Sequence, residues 1–224
     1  SECSKRDISR DFQVSAQKFR VVPNGINTDY FYPLPHVERR PHHLLTTNSA
    51  DTPLKGLRYL LEAVREIGKR RPIHLTVIGS PKQDGAIIRL LDEWRLHENV
   101  HFTGRIAYEE FARYYAECTL TVIPSLYEGF GMPAGEAMAC GVPVISTTGG
   151  ALPEVVGDAG ILVPPADSLA LRAAIEDLLD NPEKRADLGR AGLRRVMSSL
   201  TWEHAARGTA EVYREVIDAH RRFQ

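Results

Sequence analysis

From residue 43 onward the chain alternates two kinds of hydrophobic pattern. Short runs that are apolar on both faces and rich in Val, Ile and Leu fall at 43–47, 74–79, 100–104, 120–125, 143–147 and 160–163. Between them stand segments whose apolar residues recur every 3.6 positions. Over 55–69 the stripe is Leu57, Leu60, Leu61, Val64 and Ile67, and segments 86–94, 108–116 and 133–140 follow. Strands apolar on both faces are buried on both, and a helix between successive strands lets them run parallel. The pattern predicts an α/β fold, a doubly wound, Rossmann-like parallel sheet with helices on both faces.

Past residue 165 the strands stop and helices follow one another at 168–179, 182–197 and 202–220. Asp167, Asn181 and Thr201 are the expected N-caps, with Pro182 and Trp202 at first helical positions. The first 22 residues are polar and read as a connector outside the sheet, ending in Val21-Val22-Pro23-Asn24-Gly25, a strand end that runs into a turn.

Composition narrows the possibilities. With 224 residues, 43% hydrophobic and 25% charged, the chain fits one large globular domain plus a fragment of another. Its 28 basic and 29 acidic side chains leave a net charge of −1, too little to draw in nucleic acid or an acidic membrane at long range. Any bound anion must therefore be held by local geometry. No apolar run approaches the ~20 residues of a spanning helix, and no secretory stretch opens the chain, so a cytoplasmic location is expected. Cys3, Cys118 and Cys140 show no CxxC spacing, which suits a reducing compartment. A first residue of Ser, not Met, leads us to expect a piece of a longer protein.

The segment richest in chemistry runs from Thr121 to Gly141, a strand, a glycine loop and a helix start. In an open parallel sheet ligands bind beyond the carboxyl ends of the strands, where 127–132 should lie. Gly129 and Gly131 allow close backbone approach, and Pro133 begins a helix whose first amides are free to meet an anion. A tight turn with glycines for steric reasons alone would look the same. Two carboxylates distinguish them. Glu136, one turn into the helix, would repel an anion unless it held a neutral diol such as a ribose, and Glu128 at the loop start is placed to accept from another hydroxylated group.

The run Glu128-Gly-Phe-Gly-Met-Pro-Ala-Gly-Glu136-Ala-Met-Ala-Cys-Gly-Val-Pro-Val resembles the E-x7-E signature of the family-4 retaining nucleotide-sugar glycosyltransferases of the GT-B fold, or glycosyl transferases group 1. Val22-Pro-Asn-Gly-Ile-Asn, Lys55-Gly-Leu, His101-Phe-Thr-Gly-Arg-Ile, Gly149-Gly150 with Pro153-Glu154-Val-Val, and Gly160-Ile-Leu-Val-Pro-Pro-Ala-Asp resemble further landmarks in family order, so the resemblance covers nearly the whole chain. It implies that Glu136 holds the donor ribose and Glu128 the hydroxyls of the transferred sugar. Backbone amides around Gly131 and Met132 would then face the diphosphate, Gly129, Phe130 and Arg105 would also belong to the donor site, and the main chain near Ile106 would read the base. Lys55 would neutralise the leaving diphosphate, in a retaining, front-face reaction without a metal or other cofactor. The donor would be a UDP- or GDP-sugar.

The same resemblance makes residues 1–22 the tail of a preceding domain and linker, 23–200 the donor-binding domain, and 201–224 a helix returning to that domain. The acceptor, and any peripheral membrane contact, would belong to absent parts. A non-catalytic binding or assembly module on the same fold is the alternative, and a GT-B epimerase or phosphorylase a weaker one. One departure stands out: where the family has an arginine five residues before the lysine, this chain has Ala50. Asn48, Ser49 or, less well placed, Arg105 are the expected substitutes.

Two strings carry less than they suggest. His97-Glu-Asn-Val-His101 spells HExxH, but it leaves a helix and enters a strand, so its histidines should not converge on zinc. The basic stretch Lys184, Arg185, Arg190, Arg194 and Arg195 is interleaved with Glu183 and Asp187 and reads as a solvated helix face.

Overall fold

The computed structural model describes residues 1–48 and 52–221. Six strands, β1 His43–Thr47, β2 His74–Ile78, β3 Val100–Phe102, β4 Leu120–Ile123, β5 Val144–Thr147 and β6 Ile161–Val163, form one parallel sheet in the order β3-β2-β1-β4-β5-β6. Leu44 of β1 pairs with Leu75 on one side and Leu120 on the other. Successive strand residues face opposite layers, so each strand must be apolar throughout.

Leu44, Val77 and Val122 enter a core shared with helices α2 Leu57–Gly68, α3 Ala86–Trp94 and α7 Ser168–Asp180, while their neighbours Leu45, Ile78 and Ile123 enter a second core. That second layer is built from α4 Phe111–Glu117, α5 Met132–Ala139, α6 Leu152–Val156 and α8 Pro182–Ser199. The doubly wound reading is thereby borne out, with every predicted strand present and within two residues of its predicted bounds.

The differences have local causes. The first 22 residues stay outside the sheet but contain helix α1 Glu2–Asp11, whose apolar stripe is too thin to see because Cys3 is its only buried residue. Helix α6 spans five residues and carries Pro153, too short for a periodicity. Helix 55–69 starts later than predicted, because Pro53–Lys55 form a 3-10 turn and Gly56 takes a left-handed conformation before α2. Asp167 caps α7, accepting from the Ala170 amide at 2.8 Å. Asn181 holds the N-cap position of α8, but without a side-chain capping bond: its side-chain amide donates back to the Asp177 carbonyl at 2.8 Å.

The segment leading into β1 and the start of the last helix, α9 Trp202–Arg221, lie side by side. The Ile26 amide donates to the Leu200 carbonyl at 2.7 Å, and buried Ile26 bridges to Thr201 in parallel. No described helix is long and apolar enough to cross a membrane.

Gly56 sets the position of Lys55. At φ +66° it lies against the loop after β4, where a Cβ would sit 1.9 Å from the Pro124 carbonyl oxygen. Gly56→Ala therefore adds left-handed strain to a backbone collision, and urea denaturation should show a loss of at least about 2 kcal/mol.

Candidate functional site

In the observed strand order the connections turn in opposite directions on either side of the β1 and β4 pair, which opens a crevice at their carboxyl ends. A cavity of about 600 Å³ occupies this place, lined among others by Thr47 at the end of β1, Lys55, Ser80, Arg105, Ile106 and Glu136. Four of the residues singled out from the sequence are thus brought to one wall: Lys55, Arg105, Ile106 and Glu136.

Glu128 joins them through Lys55. The Lys55 Nζ donates to Glu128 Oε1 at 2.7 Å, and the Ser125 hydroxyl donates to the same oxygen at 2.8 Å. The two charged side chains are 27% and 14% exposed, so solvent screens the pair less than an open surface pair. Beneath the pair the loop is gripped by main chain. The Ala151 amide donates to the Glu128 carbonyl at 2.8 Å, and Gly150, at φ +64°, lies where a Cβ would be 2.2 Å from that oxygen.

The start of α5 is sparser in donors than the sequence suggests. Pro133 has no N–H, and Ala134 donates to the Gly131 carbonyl at 3.0 Å, so the helix end offers the Met132 amide. Phe130 and Met132 are partly buried against the second core, Gly131 is buried and Gly129 is exposed.

Glu136 is 9% exposed, and its Oε2 accepts from the Tyr115 hydroxyl at 3.1 Å. Burial pushes its carboxyl up to about 7, against the opposing effect of the tyrosine bond. Glu136 forms no salt bridge among the described residues.

Of the proposed substitutes for the arginine, Asn48 is buried and Arg105 is exposed at the cavity wall, while Ser49 and Ala50 lie outside the described residues. Ser125 and Tyr115 were not legible as site residues, since each meets its carboxylate only through the fold. The histidines of the HExxH string fall in a turn, where His97 bonds Asp92 at 2.7 Å, and in β3. The basic stretch is only partly a solvated face. Lys184 pairs with Asp177 at 2.6 Å and Arg190 with Asp187, but Arg185 donates to the Leu179 carbonyl at the end of α7, and Arg195 donates to the carbonyls of Glu154 and Val155 in α6.

Helix α1 docks on the outside of the glycine loop. The Ser1 and Ser4 hydroxyls donate to the Gly129 carbonyl at 2.9 and 3.3 Å, and the Tyr127 hydroxyl donates to Asp7 at 2.6 Å. The Glu154 carboxylate accepts from the amides of Glu2 and Cys3, both at 2.7 Å.

A family model described as Glycosyl transferases group 1 matches residues 41–181. The MMP alpha-(1->4)-mannosyltransferase of Mycolicibacterium hassiacum is 39% identical over 220 residues, covering 97% of this chain and 53% of the relative. Sucrose-phosphate synthase from Thermosynechococcus elongatus superposes with a TM-score of 0.80 at 33% identity, over 96% of this chain and 57% of that one. Anabaena Alr3699/HepE, solved with UDP-glucose, superposes with a TM-score of 0.84 over 96% of this chain and 62% of that one. Its identity is 20%, a likeness of fold. The chain spans about half the length of the curated relatives it matches.

The buried carboxyl predicts a pH signature. Well below pH 4.5 Glu136 is neutral in both folded and unfolded chains. As pH rises towards 7 the unfolded chain releases its proton first, so the folded state loses stability, and above 7 the penalty is complete. Glu136→Gln removes this dependence. Denaturation should find the variant more stable than the parent at pH 8, by up to about 3 kcal/mol, and similar to it near pH 4.5.

Proposed function

The chain belongs to the glycosyl transferases group 1 family, and on that premise we propose that it is the donor-binding half of a retaining nucleotide-sugar glycosyltransferase. The observation that carries this reading is the convergence of Lys55, Glu128 and Glu136 at the crevice between β1 and β4.

In this reading the ribose diol of a UDP- or GDP-sugar donates to the Glu136 carboxylate, and the base lies against the main chain near Ile106. The diphosphate meets Lys55 and the Met132 amide at the start of α5. Both are held by the fold before the reaction, so they can offset the charge that develops on the leaving group without reorganising, in place of a metal. Lys55 then exchanges its present carboxylate partner for phosphate oxygens. Glu128, relieved of that ion pair, accepts from hydroxyls of the transferred sugar. Departure of the diphosphate from the face that the acceptor attacks retains the anomeric configuration.

The acceptor would be held by the half of its relatives' length that this chain does not span. Residues 23–200 are then the donor unit, and the flanking segments meet the other half. Two features support this. Tyr213, Val216 and Ile217 are exposed at the i, i+3, i+4 spacing on α9, and Phe12 is 74% exposed after α1.

Calorimetric titration at pH 8 with UDP, GDP, UDP-glucose and GDP-mannose tests the roles. Glu136→Ala should weaken the nucleoside diphosphate that binds by at least about tenfold, the scale of one charge-assisted hydrogen bond. Glu128→Ala should bind that diphosphate no more weakly than the parent but lose the additional affinity for the nucleotide sugar. Unchanged diphosphate affinity in Glu136→Ala would overturn the assignment.

A further inference from the structure

Glu154 is absorbed neither by the fold nor by the donor contacts just described. It projects from α6, a five-residue helix whose backbone is fastened by the Arg195 guanidinium, donating to the carbonyls of Glu154 at 2.8 Å and Val155 at 2.7 Å. From this anchored base both carboxylate oxygens reach the first amides of α1, one each from Glu2 and Cys3 at 2.7 Å. A carboxylate suits a helix start on two counts, because the amides there lack helical partners and the helix dipole is positive.

The rest of the seat of α1 is also mostly polar. Cys3 is its one buried residue, and Asp7 is bonded by Tyr127. Such a helix is placed by a few directional bonds, and Glu154 supplies two of them.

The other end of the arrangement falls on the donor loop. The Ser1 and Ser4 hydroxyls converge on the Gly129 carbonyl. Phe130 packs against the second core, but the Gly129 side of that peptide is free of packing: Gly129 is exposed, and a Cβ built on it would meet nothing within 4 Å. The preceding carbonyl, of Glu128, is held by Ala151, but the Gly129 carbonyl is oriented by α1. A trans peptide sets its C=O and N–H in opposite directions, so holding the Gly129 oxygen towards α1 turns the Phe130 N–H to the other side of the loop.

We propose that Glu154 is a positioning residue for donor binding: by seating α1 it holds the Gly129–Phe130 peptide in the orientation that presents the Phe130 N–H to the transferred sugar of the donor. The inference rests on the donor-site reading of the loop. It makes α1 a detachable clamp, since its release breaks polar bonds and exposes little apolar surface. With the clamp released, the Gly129 peptide is free to rotate and the loop loses one aimed donor, while Glu136 and Lys55 keep their places.

The test compares affinity for UDP-glucose against UDP, and for GDP-mannose against GDP, by calorimetry on the chain, on Glu154→Ala, Glu154→Gln, the Ser1→Ala/Ser4→Ala pair, and the combination of that pair with Glu154→Ala. Glu136→Ala is run alongside. Loss of one aimed donor predicts about a tenfold fall in nucleotide-sugar affinity for Glu154→Ala with the diphosphate affinity unchanged. The serine pair should show the same fall and the combination no more than either, because all act through one peptide. Glu154→Gln, which keeps one acceptor oxygen, should fall in between.

A merely structural role would weaken both ligands alike, and the combined variant would lose the sum. Either of those results, or an unchanged ratio in Glu154→Ala while Glu136→Ala loses diphosphate binding, overturns the positioning role alone. A parent chain that binds neither diphosphate, or a Glu136→Ala that binds as well as the parent, refutes the donor-site reading and the positioning role with it.

Discussion

Main chain packs on main chain where the loops after β1, β4 and β5 converge, and the placement of Lys55 and Glu128 depends on that contact. The Leu126 amide donates to the Leu54 carbonyl at 2.8 Å, and Gly56 presses on the carbonyl of Pro124. From the other side Gly150 lies on the backbone of Glu128 and Ala151 bonds its carbonyl. The loop from Pro124 to Glu128 is therefore clasped between its neighbours with no side-chain layer to give way. Lys55 and Glu128, 73 positions apart in sequence, reach one another at 2.7 Å because their backbones are fixed to a common surface. Hydrophobic packing builds the two cores on either side of the sheet, but these loop contacts carry that order to the rim of the crevice.

Three of the ionisable groups at this rim, Lys55, Glu128 and Glu136, occupy different electrostatic environments. Lys55 and Glu128 neutralise one another in a half-buried pair that a stronger anion can compete for. Glu136 forms no salt bridge among the described residues and is buried against a tyrosine hydroxyl, so its charged form is disfavoured. Two glutamates eight positions apart on one loop and helix thus differ in their surroundings: one is paired with a lysine, the other is buried against a tyrosine hydroxyl.

Much of the architecture was legible in the sequence because it follows from burial. A run such as Leu44-Leu45 feeds two cores at once and is hard to accommodate except in a strand covered on both faces. The loop glycines and the two glutamates were legible as well, since ligand sites in such sheets follow the strand ends, and Lys55 was legible through the family resemblance. What stayed hidden belongs to contacts between distant segments. Ser125 and Tyr115 look like ordinary residues of a strand end and a helix until the fold sets each against a carboxylate. Helix α1 escaped because a helix seated by hydrogen bonds leaves almost no hydrophobic period. Glu154 stood inside a recognised landmark, yet nothing local indicates that its partners are amides more than 150 positions away.

A carboxyl that titrates near pH 7 is about half protonated at that pH when its site is empty. Glu136 in that state is as much a hydrogen-bond donor as an acceptor, whereas a diol held by its carboxylate needs two accepting oxygens. A ligand that fixes the ionised form must therefore expel a fraction of a proton into the surrounding buffer. The heat of binding near neutrality would then carry the buffer's own enthalpy of protonation, and its variation from one buffer to another would count the protons that Glu136 gives up.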